Sequence, residues 1–279
     1  MGCCKGTWQM KLLIVAVVIS MAGIQCSNKA HAQANMISNS TSGVAISTGM
    51  NPSIYIDQIG SNNTVGIQQN GINSVGGVGQ QAMPIQGQGN IVKIRQGDPI
   101  NAFGSSSIEA AVYGDYNYLG LNQGTTLNNQ TNGQDTGQHY QSVTVSGTGN
   151  QVNTEQTNTG AGAHYLSTAI TGNYNSVTAS QSDNTGKTTA ITIQGDLNNV
   201  LTSQSGAGTH NLAVNLLGNG NSATVNQSGS TANNANINIT NAGGSGSVNL
   251  TQTGGQNYYI NTICVQAGGC QPINLRQGN

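Results

Sequence analysis

One frame, Gly-x-x-Asn-x-aliphatic-x-x-x-Gln, returns along most of the chain every 23 to 33 residues. A fixed frame at that period is the mark of stacked repeats, in which each unit contacts only its neighbours. The full copies run Gly60/Asn63/Val65/Gln69, Gly87/Asn90/Val92/Gln96, Gly114/Asn117/Leu119/Gln123 and Gly147/Asn150/Val152/Gln156. They continue with Gly172/Asn175/Val177/Gln181, Gly195/Asn198/Val200/Gln204 and Gly218/Asn221/Ala223/Gln227. Two worn copies follow: Gly243, with Gly246 in the Asn place but Val248 and Gln252 kept, and Gly254, with Asn257 but Ile263 in place of Gln.

With the glycine as position zero, mostly apolar residues occupy −2 and −4, as in Val145/Val143 and Ile193/Ile191. Positions +3, +5, +7 and +9 carry Asn, an aliphatic residue, a small or apolar residue, and Gln. Period two on both sides of a turn reads as two strands, each with one inward face. An isolated hairpin is marginal in water, so the units must stack to bury those faces. The fold class expected is all-β: a β-solenoid with two strands per coil and about 8–9 stacked coils. In such a stack each inward Asn and Gln can donate to its copy on one side and accept from its copy on the other, which removes the cost of burying an amide. The glycine serves a tight corner at positive φ.

Residues 1–32 read as a secretory signal peptide, with Lys5 and Lys11 ahead of the apolar run Leu12 to Ala22 and small residues at Ala30 and Ala32. That run is too short for stable membrane insertion. Residues 33–53, rich in Ser, Asn and Gly, read as a flexible leader, 54–263 as the repeat solenoid, and 264–279 as a C-terminal segment. Without residues 1–32, four cations face eight carboxylates, a net charge of −4 that offers no reason to bind nucleic acid. Export makes a disulfide between Cys264 and Cys270 plausible, and with Pro272 it is a candidate cap on the stack.

Catalysis has little to stand on, since Asp115 and Asp196 simply follow turn glycines and the other acids are scattered. No enzyme activity and no cofactor are expected. His139, His164, Lys187 and His210 each lie eight residues before a turn glycine in consecutive copies, and Tyr140 and Tyr165 follow the first two. This column reads as a solvated corner with Tyr packing. Its functional alternative is a pH-sensitive stripe or a weak metal site at His139, His164 and His210.

The run Gln58-Ile-Gly60-Ser-Asn-Asn63-Thr-Val65-Gly-Ile-Gln-Gln69, repeated over residues 54 to 263, resembles the curlin repeat, Gln-x-Gly-x-x-Asn-x-Ala-x-x-x-Gln. Curlins are subunits of the extracellular amyloid fibres called curli. In later copies the Gln at −2 gives way to apolar residues such as Val112, Ile170 and Ile193. The resemblance implies a curlin-like β-solenoid, export through an outer-membrane secretion pore, and polymerisation with itself and other curlin subunits. It implies a fimbrial role in cell adhesion and biofilm, outside a Gram-negative-type bacterium. It also assigns Gln58, Asn63, Gln69, Asn90, Gln96 and their counterparts through Gln252 to inward self-assembly ladders. The alternative reading is a soluble secreted β-solenoid adhesin, or a phage-fibre-like protein, that does not polymerise.

Overall fold

The computed structural model describes residues 36–38, 44–48, 53–69, 73–77, 81–97, 106–124, 137–158, 161–241 and 244–278. The signal segment 1–32, the linker 125–136 and Gly243 lie outside them. Every described residue outside turns and connections belongs to a strand or bridge, and the strands form two parallel sheets. First arms stack in an 11-stranded sheet and second arms in a 10-stranded sheet. The first-arm sheet has the extra strand because one arm is split, into Ser74–Gly76 and Met83–Gln86. The fold is thus a β-solenoid with two strands per coil.

The Gly147 coil shows how the pattern becomes structure. Its arms, Tyr140–Ser146 and Gln151–Gln156, alternate buried and part-exposed residues because successive side chains leave a strand on opposite faces. Val145 lies level with Val112 in one neighbouring coil and Ile170 in the other, and Val152 lies between Leu119 and Val177. Like therefore packs on like, and the apolar columns fuse into one core from Ile54 to Ile260. Burying each such aliphatic side chain contributes about 1.5–3 kcal/mol relative to exposure. The corner glycines sit at positive φ, at 132° for Gly147. A Cβ on Gly147 would lie 1.9 Å from the carbonyl oxygen of Gly172, so the corner requires glycine for close approach as well as for its dihedral.

Three boundaries differ from the sequence expectation. Met36–Ser38 and Val44–Thr48 are strands parallel to the Gly60 coil, in register at Ile37/Ile56 and Ile46/Ile67, so the segment expected to be a flexible leader adds a layer. Residues Asn257–Cys264, expected to follow a turn at Gly254, instead continue the first-arm sheet, with Asn257 level with Asn234. Their partner arm is Ile273–Gln277, with Gln277 level with Gln252. The last coil therefore extends past residue 263, and its corner is the Cys264–Cys270 loop. That disulfide is formed, with 5.6 Å between Cα atoms, and fastens the corner where other coils use glycine.

Candidate functional site: the stacked columns

The Gln column runs unbroken from Gln69 to Gln252. Gln69 Nε2 donates to Gln96 Oε1 (2.6 Å), and the relay passes through Gln123, Gln156, Gln181, Gln204 and Gln227 at 2.8 to 3.0 Å. From Gln96 onward each amide also donates to a backbone carbonyl of the other sheet. Gln156 donates to the Tyr140 carbonyl (3.1 Å), Gln181 to Tyr165 (3.0 Å) and Gln204 to Thr188 (3.1 Å). The column thus links coil to coil and also joins the two arms of one coil.

The Asn column does different work at the glycine corner. Asn117 Oδ1 accepts the backbone N–H of Asn150 (2.9 Å) and its Nδ2 (3.0 Å), while Asn117 Nδ2 donates to the Gly147 carbonyl (2.8 Å). The same pattern recurs at Asn90, Asn150 and Asn175. Among the described residues Asn198 Oδ1 accepts only the Asn221 backbone N–H (2.8 Å), and Asn198 and Asn63 likewise hold the next corner's carbonyl. Amide-to-amide donation runs toward the N-terminus in the Asn column and toward the C-terminus in the Gln column. The Asn column stops at Asn221, whose Oδ1 accepts the Gly246 N–H and whose Nδ2 is buried with no partner among the described residues. The column ends there because Gly246, in the Asn place, has no side-chain amide.

Gln58 does not join a ladder. It lies in the first-arm sheet level with Ile85, so no amide stacks on it from that side, and both its polar atoms are buried without a partner among the described residues. Conversely, Gln277 continues the Gln register beyond the last copy of the Gly-x-x-Asn frame. The signal was present: Gly268, Ile273, Leu275 and Gln277 repeat the glycine, +5, +7 and +9 spacing. A third polar column was also missed. Asp115, Asn173, Asp196 and Asn219, one residue after the turn glycine, each accept through Oδ1 a backbone N–H from the preceding coil, at 2.7 to 2.9 Å.

The His/Lys column is not a solvated corner. His139, His164, Lys187 and His210 are all nearly completely buried, because position −8 has the inward parity of −2, −4 and −6. The His139 and His164 rings stack in parallel at 4.9 Å. His210 Nε2 donates to the Ser205 carbonyl (2.7 Å) and its Nδ1 accepts the Asn233 backbone N–H (3.2 Å), which holds the imidazole neutral. Lys187 Nζ donates to the carbonyls of Thr185 (3.1 Å) and Gly206 (2.9 Å). Parallel stacked rings do not converge their nitrogens on one ion, and among the described residues no three His, Cys, Asp or Glu side chains gather as metal ligands. On the outward side, Tyr140 stacks on Tyr165 at 5.0 Å and donates to Glu109 Oε2 (2.7 Å). Burial first, and that carboxylate second, push the Tyr140 phenol up to about 12.

Burial lowers the His210 pKa, opposed by the Ser205 carbonyl and reinforced by the Lys187 charge. Burial likewise lowers that of Lys187, opposed by Asp183. The unfolded chain therefore binds a proton at His210 that the folded chain resists. Stability from this group is fully present above about pH 6.5 and is lost as pH falls below it. The urea midpoint should drop between pH 7 and 5, and His210→Gln should flatten that slope. An identical slope in the variant would remove His210 from the account.

Among known proteins, no family, no curated protein and no solved structure matches this chain.

Proposed function

We propose that this protein is a structural subunit of extracellular, curli-like amyloid fibres in adhesion and biofilm, and that it assembles by stacking coil on coil between copies. One observation carries the reading: each coil offers the next the complement of what it takes from the one before. Backbone, Gln and Asn donors and acceptors repeat in register along the stack, so a coil at an open end is a template for another. The last described coil supports this. Asn257–Cys264 and Ile273–Gln277 each have a sheet neighbour on one side only, and Tyr258, Ile273 and Leu275 cover the core only in part. Such an edge recruits strands unless it is blocked. The disulfide lies at the corner rather than across this face, so it constrains the last coil without covering it.

Electron microscopy with fibre diffraction on the purified chain tests the reading. Unbranched fibres with a reflection at about 4.7–4.8 Å, whose growth is shortened by preformed seeds, are the expected result. Chains that stay monomeric when seeded would favour the soluble adhesin.

A further inference from the structure

The corner position two residues after the turn glycine is left-handed in seven coils, with φ between 55° and 71°. Gly89, Gly149, Gly220 and Asn62 fill it in four of them, and these residues tolerate that region best. Tyr116, Tyr174 and Leu197 fill it in the others, where a bulky side chain strains the backbone. Core burial is not what offsets that strain, since Tyr116 is 66% exposed and Tyr174 is 62% exposed.

Each tyrosine is paired with a glycine one coil away. The Tyr116 ring lies over Gly89 and the Tyr174 ring over Gly149, close enough that a Cβ on either glycine would sit 2.6 to 2.7 Å from ring carbons. The glycines therefore let both rings lie against the corner surface. Tyr116 and Tyr174 are two coils apart, about 9.5 Å at the usual strand spacing. Beside them stand the side chains of Asp115 and Asn173.

We propose that this edge is a binding site for an extended β-1,4-linked polysaccharide, with Tyr116 and Tyr174 as its two platforms. The axial C–H face of a pyranose is apolar and carries slightly positive hydrogens, which suit the negative face of an aromatic ring. The equatorial hydroxyls need polar partners at the rim, and Asp115 and Asn173 supply them. In an extended β-1,4 chain, successive sugars turn over, so the same face recurs at every second residue. That repeat is comparable to the two-coil spacing. A lone ring would accept many apolar ligands, whereas the spaced pair selects a repeating one. The site lies on a single copy, so binding does not require polymerisation.

The decisive variant is Tyr116→Gly with Tyr174→Gly in the full chain. Glycine adopts the left-handed corner freely, so the melting temperature should hold or rise while the platforms are removed. In calorimetric titrations with cellohexaose and chitohexaose, the parent should bind at least one of them and the double variant should bind about tenfold more weakly or worse. Leu201→Ala, at an exposed apolar residue of the second-arm sheet, should bind as the parent does. If the double variant melts early, Tyr116→Asn with Tyr174→Asn replaces it. A parent that binds neither hexasaccharide, or a folded double variant that binds as well as the parent, overturns the proposal.

Discussion

Gln156→Ala is expected to lower the free energy of unfolding by about 3–5 kcal/mol, the range for an opened buried polar network. The side chain stands mid-column, accepting from Gln123 and donating to Gln181 and to the Tyr140 carbonyl. Truncation leaves the buried Gln123 Nε2 proton and Gln181 Oε1 without these partners, removes the cross-link to the other arm, and leaves a void. A surface polar group would be rehydrated instead. Glu155→Gln, one residue away on the outward face, should change stability by no more than about 0.5 kcal/mol. Urea unfolding of both variants measures the difference. A loss below 1 kcal/mol for Gln156→Ala would mean that the column relaxes around the gap, and the amide ladder would then lose its structural role.

Gly147→Ala should cost about as much, roughly 3–5 kcal/mol, by a different route. The residue sits at φ 132°, and its added Cβ would meet the Gly172 carbonyl at 1.9 Å. The intruding atom faces backbone, so no rotamer change relieves it and two coils must separate at the corner. Amide exchange should therefore quicken around Gly147 and Gly172 before it does elsewhere, as local opening in a stack of nearest-neighbour contacts. Gly66→Ala is the counterpart: nothing lies within 4 Å of its Cβ position, so the change should be neutral or stabilising by up to about 1 kcal/mol. Equal effects at the two sites would contradict the close-packed corner.

Some errors of the sequence reading have a common origin. Gly254 with Asn257 satisfies the Gly-x-x-Asn spacing by chance, and the competing signal from Gly268 to Gln277 lacks the Asn. Only the pairing of Asn257 with Asn234 and of Gln277 with Gln252 tells which arm each segment belongs to. The motif alone places Gln58 in a ladder, yet a ladder needs a stacked amide, and the next coil presents Ile85 at that level. Residue type alone places His139, Lys187 and His210 in solvent, since such side chains are usually exposed. Their parity already pointed inward, and the fold followed parity.

The sequence alone determined the repeat: strand, glycine corner, strand, with Val152 and Gln156 facing in and Glu155 facing out. That information is local, because alternation and turn chemistry act within one coil. The tertiary structure decided which amides form columns, where the Asn column stops, that the last corner is fastened by Cys264–Cys270, and that Tyr116 and Tyr174 lie against glycines of neighbouring coils. Those outcomes depend on what stands one coil away. A residue's partner there is set by strand register across 23 to 33 residues of chain, which no single coil encodes.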